Sequence, residues 1–273
     1  LTKVDYSLLA TFVALFVLAG CGDSSETSSE EQAAETLRIG SLIPPMTDIL
    51  EIVKPLMKEE GINLEIVVLG DNIQPNNALQ HEEIDVNFFQ HAPFMEQYNS
   101  QNDADFVAIE PIYHAIFGGY SKKYKSIDEL PEGAVIAVPN DAVNLGRALI
   151  LLDEKGLITL KDKTDLNATQ ADIVDNDKNY KLQEVDLLML ARMMDDADLV
   201  MLYPAYAAPL GLTPAKDALI TEGLESRYAI SLVAREDNAD SEAIKILAEK
   251  MTGPEVRKFL EEEHAETALP AFE

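Results

Sequence analysis

The stretch IDVNFFQHAPF, residues 84–94, decides how this chain is read. IDVNFF (84–89) has the length and apolar character of a buried strand, and two earlier runs match it: LRIGSLI (37–43) and LEIVVL (64–69). After the first run, Ile49, Ile52, Val53, Leu56 and Met57 recur at helical spacing, with Thr47 and Asp48 as candidate N-caps and Gly61 as the stop. Pro55 falls inside that pattern and predicts a kink or an early break. The order β-α-β-α-β with buried strands predicts a parallel sheet covered by helices. NFFQHAPFMEQYN (87–99) then concentrates four aromatic rings and a histidine in a chain with no tryptophan. Because strand side chains alternate, one of Phe88 and Phe89 should face the core and the other a cleft.

A second set of elements begins after residue 120. SIDELPEG (126–133) carries a capping box, with Ser126 three residues before Glu129. AVIAVP (134–139) reads as a strand, RALILLDEKG (147–156) as an amphipathic helix closed by Gly156, and DLVMLY (198–203) as another buried strand. From Ser241 through His264 the pattern is helical and highly charged. The expected organisation is two α/β lobes, 37–115 with 230–273 and 116–229. The chain is expected to cross between them near Ile112–Tyr120 and near Tyr228–Ala234. Small ligands prefer such inter-lobe clefts and the carboxyl ends of parallel strands.

The amino terminus, LTKVDYSLLATFVALFVLAGC (1–21), has an apolar run from about Tyr6 to Ala19, too short for the roughly 20 residues of a membrane span. Its proportions are those of a signal peptide. Leu18-Ala19-Gly20-Cys21 resembles the lipobox of bacterial lipoproteins, in which the cysteine is lipidated. Cys21 is the chain's single cysteine and has no disulfide partner, which fits a modified thiol. Residues 22–36, GDSSETSSEEQAAET, are small, polar and acidic, the composition of a flexible tether. Acids outnumber bases by 49 to 21, giving a net charge of −28, which excludes phosphate-gripping nucleic-acid binders. Anchor, tether and two-lobed body together predict a substrate-binding protein of an importer.

Six segments carry a more specific likeness: EIVKPLMKEEGINLEIV (51–67), DNIQPNNAL (71–79), EIDVNFFQHAPF (83–94), YSKKYKSIDELPEGA (120–134), VPNDAVNLGRALILL (138–152) and LPAF (269–272). With them the chain resembles the methionine-binding lipoprotein (NlpA/MetQ) family of ABC-importer receptors over nearly its whole length. The resemblance implies a two-lobed, periplasmic-binding-protein-like α/β fold, with mixed sheets flanked by helices and a ligand cleft between lobes. It implies a methionine-like ligand whose thioether packs on Phe89, His91 and Phe94, as sulfur packs on rings generally. It implies that Arg147 clamps the ligand's α-carboxylate, with Asn144 assisting. The residues themselves agree: an arginine fork matches a carboxylate, and the first turn of the helix after strand 134–139 offers backbone N–H groups to an anion. The competing reading pairs an exposed Arg147 with Asp141 or Asp153. Partners implied are an ABC permease, its ATPase and, through the lipid, a bacterial membrane facing outside the cytoplasm.

Several positions depart from the family pattern. Its Asn-x-Asn-Tyr-Ala becomes Tyr203-Pro204-Ala205-Tyr206-Ala207, a further asparagine falls on Ile230, and a tyrosine becomes Asn72. Either Tyr203, Tyr206 and Asn72 replace the lost hydrogen bonds, or the ligand differs: a dipeptide, a methionine derivative or another apolar carboxylate. No G-x-S-x-G, H-E-x-x-H or P-loop pattern occurs, so no enzyme is expected. No cofactor is expected, and His91 has no metal-ligand spacing with His81, His114 or His264. The remaining alternative is a receptor-like lipoprotein that serves as an adhesin or sensor.

Overall fold

A computed structural model describes residues 35–223 and 227–273. The expected signal peptide, the lipidation at Cys21 and nearly all of the tether lie outside them. The described residues belong to one compact unit.

In chain order the first elements are β1 (Glu35–Ser41), α1 (Met46–Glu59), β2 (Ile62–Val68), α2 (Gln74–Gln80), β3 (Val86–His91), α3 (Ala92–Asn102) and β4 (Phe106–Ala115). There follow β5 (Gly118–Tyr120), β6 (Val135–Pro139), α4 (Ala142–Glu154), β7 (Thr159–Leu160), β8 (Ile173–Asp175), β9 (Lys181–Val185) and β10 (Leu199–Leu202). The chain closes with α5 (Pro204–Ala207), α6 (Pro214–Asp217), β11 (Ala218–Thr221), β12 (Ala229–Arg235), α7 (Glu242–Met251), α8 (Pro254–Glu263) and β13 (Ala268–Pro270).

Two mixed sheets result. The larger has the order β13-β4-β12-β3-β1-β2, with β1 parallel to β2 and β3 and with β12 antiparallel to β3 and β4. The smaller has the order β11-β5-β10-β6-β9, with β6, β9 and β10 parallel. The chain passes from the first sheet to the second between Ala115 and Gly118, and returns between Thr221 and Ala229. The return is complete by Ala229, since β12 is paired with β3 and β4 from its first residues.

Local chemistry explains where the elements differ from the sequence reading. Helix α1 starts at Met46, without a side-chain cap from Thr47 or Asp48; the Ile43 carbonyl accepts from Met46 N–H (3.1 Å) and Thr47 N–H (3.4 Å). It runs through Pro55 unbroken, since Pro55 and the Glu51 carbonyl it frees both lie on the exposed face, where water can take the lost bond. Ser126 and Glu129 do not form a reciprocal box. Ser126 accepts from Asp128 N–H (3.2 Å) and Glu129 reaches Lys125 N–H (2.8 Å), around a single 3₁₀ turn. The charged C-terminal helix is two helices, broken at Thr252–Gly253, with Pro254 opening the second.

The core follows from apolar periodicity. Ile49, Leu50, Val53 and Met57 bury one stripe of α1, which packs against α7 and α8. On α4 the constraint is backbone proximity: a Cβ at Gly146 would lie 2.1 Å from the Leu166 carbonyl oxygen, so only glycine lets that loop cross the helix so closely.

Candidate functional site

The larger sheet directs the carboxyl ends of β1, β2 and β3 toward a pocket, and the smaller directs those of β6, β9 and β10 toward the same space. From the first side come Leu42, Ile43 and Met46 after β1, Asn72 after β2, and Phe89, Gln90, His91 and Phe94 around the β3–α3 junction. From the second come Asn144 on α4, Leu187 after β9, and Tyr203, Ala205 and Tyr206 after β10. Tyr113, Ala115 and Ile230 complete the wall, and Ile230 on β12 pairs with both His91 and Tyr113. The cavity measures about 70 Å³.

Phe89, His91, Phe94, Asn72, Asn144, Tyr203, Ala205 and Tyr206 are therefore all on the wall. Phe89 and His91 each meet Phe94 edge-on, with ring centroids 6.1 and 6.2 Å apart. Phe88 points the other way, into the core, with its edge on Tyr113 at 6.1 Å. Asn72 sits in a turn capped by Asp71, which accepts from Ile73 N–H (2.8 Å) and Gln74 N–H (2.9 Å). Behind it, the buried amides of Asn76, Asn87 and Gln90 bond one another at 2.6–3.0 Å and tie α2 to β3.

Arg147, expected as the carboxylate clamp, does not line this pocket and stands one hydrogen bond behind Tyr203, which does. Nor is it exposed, or paired with Asp141 or Asp153. It is 2% exposed and forms a bidentate pair with Glu222, through Nε to Oε2 at 2.9 Å and through Nη2 to Oε1. Nη2 also donates to the Ala115 carbonyl (3.1 Å), and Nη1 donates to the Tyr203 hydroxyl (2.9 Å). The rings of Phe117, Tyr203 and Tyr228 surround its Cζ at 5.0, 4.9 and 4.3 Å. Glu222 was missed by the sequence reading, because 75 residues separate it from Arg147 and nothing local distinguishes it among the chain's 49 acids.

The N-terminus of α4 is likewise filled from within. Asp141 accepts from the Asn144 backbone N–H (3.0 Å) and from its Nδ2 (2.9 Å). The Asn144 amide oxygen accepts from the Tyr203 hydroxyl and faces His91 Nε2 at 3.1 Å. His91 Nδ1 accepts from Phe94 N–H (3.2 Å), so the proton belongs on Nε2, which donates to Asn144. Burial, and then the nearby Arg147 charge, lower the His91 pKa to about 3, so the ring is neutral. Burial, with Asp186 and Asp141 nearby, pushes the Tyr206 phenol up to about 12.

The neutral His91 makes a prediction. Its ordinary pKa of 6.5 in the unfolded chain exceeds the folded value, so the unfolded state binds the extra proton as the pH falls below 6.5. Stability should drop by about 1.4 kcal/mol per pH unit below that point from this residue alone, with no contribution above it. Urea unfolding from about pH 6 to about pH 4 would show it as a steeper acid loss in the native protein than in His91→Gln. Parallel curves for the two would remove His91 as the cause.

A pocket at the strand ends of two α/β sheets, walled by rings and neutral amides, defines a small-molecule-binding fold. The profile of the NlpA lipoprotein family matches residues 37–272, and the chain belongs to that family. The D-methionine-binding lipoprotein MetQ of Salmonella typhi is 37% identical over 254 residues, 92% of each chain. A YaeC-family lipoprotein from Enterococcus faecalis V583 superimposes with a TM-score of 0.79 at 41% identity, covering 87% of this chain and all of the other. A nutrient-binding protein of Burkholderia cenocepacia bound to methionine gives 0.84 at 35% identity, covering 86% of this chain and all of the other.

Proposed function

We propose that the chain is the extracytoplasmic substrate-binding protein of an ABC importer, anchored to the membrane by a lipid on Cys21 and capturing methionine or a closely related compound. The supporting observation is the pocket: a space with Phe89, Phe94 and Asn72 on the side of the larger sheet and Asn144, Tyr203 and Tyr206 on the side of the smaller. A thioether suits the rings, and the amides and hydroxyls suit a polar head group. The names of the relatives point the same way.

In this reading the two sheets are the cores of two lobes, 37–115 with 230–273 and 116–229. Ligand contacts from both lobes favour the closed form, which the permease and its ATPase then receive. The protein releases its ligand unchanged, and no catalytic role is assigned to any residue.

Mass spectrometry of small molecules released on denaturation tests the proposal, together with calorimetric titration of thioether amino acids and their derivatives. Release or saturable binding of a thioether compound is the expected result. A bound ligand with no thioether, or no binding by any thioether compound, would overturn the ligand assignment.

A further inference from the structure

The apolar surface of the pocket continues beyond it. Five of its wall residues, Ile43, Tyr113, Ala115, Ala205 and Tyr206, also line a second groove of about 400 Å³, against about 70 Å³ for the pocket itself. Pro44 extends the groove from the loop after β1, Pro209 from the turn after α5, and His264 from the end of α8. No Asp, Glu, Lys or Arg lines it among the described residues, in a chain of which 26% is charged. Contiguous apolar surface of this kind marks a binding site, and here it adjoins one.

The shared wall is low where Ala115 and Ala205 form it, since each adds only a methyl group. The polar end of the pocket lies elsewhere: His91, Asn144 and Tyr203 line the pocket and not the groove. Asn144 stands in the first turn of α4, the end of a helix that favours a carboxylate. An amino acid with its carboxylate at that end grows toward the groove from its amine. The groove has one acceptor placed for the extension. The Thr267 hydroxyl donates to the His264 carbonyl (3.2 Å), so His264 Nδ1 donates to Thr267 Oγ1 (3.3 Å). Nε2 then carries the lone pair, and it has no hydrogen-bond partner among the described residues.

We propose that the groove is a second subsite, and that the receptor binds dipeptides ending in methionine, with the methionine residue in the pocket and an apolar first residue in the groove. The terminal amine of the dipeptide donates to His264 Nε2 and keeps its remaining hydration at the open side of the groove, where Ala208 and Pro209 are exposed. The proposal rests on the receptor reading above and widens its ligand class. Free methionine needs the pocket alone.

Calorimetric titration of the intact chain with L-methionine, glycyl-L-methionine and L-leucyl-L-methionine tests it. The two dipeptides share one backbone and the same charges and differ only in an isobutyl group. Leucylmethionine should therefore bind at least about tenfold more tightly than glycylmethionine, from the apolar area that the groove covers. Ala208→Glu, which brings a carboxylate into the groove from an exposed position, should remove most of that difference. Equal binding of the two dipeptides by the native protein, or binding of methionine and of neither dipeptide, overturns this inference and leaves the receptor reading intact. Failure of all three compounds to bind overturns the thioether assignment, and this inference with it.

Discussion

Glu222→Leu should cost about 3–5 kcal/mol of stability, the cost of leaving one partner of a buried ion pair without the other. Arg147 is 2% exposed and cannot shed its proton, so its charge would stay in a site where the Tyr203 hydroxyl and the Ala115 carbonyl are its remaining hydrogen-bond partners. The three surrounding rings offset part of that loss and are unchanged by the substitution. The converse variant, Arg147→Met, should cost less. Glu222 is 12% exposed and can turn toward water. In the double variant no charge is left buried, so its loss should fall short of the two single losses added together by at least about 1 kcal/mol. Urea denaturation of the four proteins at neutral pH measures this directly. Additive losses would mean that the two side chains do not stabilise the fold as a pair.

The contrast between Arg147 and the rest of the site shows which features the sequence made legible. Strand alternation along NFFQH is local and puts one of Phe88 and Phe89 on the cleft side, while the choice of Phe89, with His91, Phe94 and Asn72, comes from the family resemblance. Asp141 is legible as a helix cap by the same kind of local rule. What alternation and capping cannot supply is the partner of a long side chain. Arg147 on α4 could have turned toward the ligand or toward the smaller sheet, and the choice depends on Glu222, just beyond β11. The smaller misreadings have the same origin. Whether Pro55 breaks α1 depends on which face of the helix meets water, and the C-terminal helical pattern of charges and apolar residues runs on across the break at Gly253.

Phe88 and Phe89 are adjacent and chemically identical, so substituting them separates fold from site. Phe88→Ala should destabilise by about 3–5 kcal/mol, since the ring is fully buried beside Tyr113 and its removal leaves a closed void. The folded molecules that remain should bind ligand with near-native affinity, because Phe88 is not on the pocket wall and meets it only through Tyr113. Phe89→Ala should cost less stability, because it enlarges an existing cavity whose polar edge at Asn72 and Asn144 can hold water. Its effect should instead appear in binding, as a loss of about tenfold for a thioether ligand, from the lost sulfur–ring contact and the apolar area around it. Urea unfolding and calorimetric titration on the same two preparations separate the effects, and Phe88→Leu provides a milder core variant if the alanine form unfolds. If Phe88→Ala weakened binding more than Phe89→Ala did, the ligand would have to lie on the opposite face of β3, and the pocket described here would not be its site.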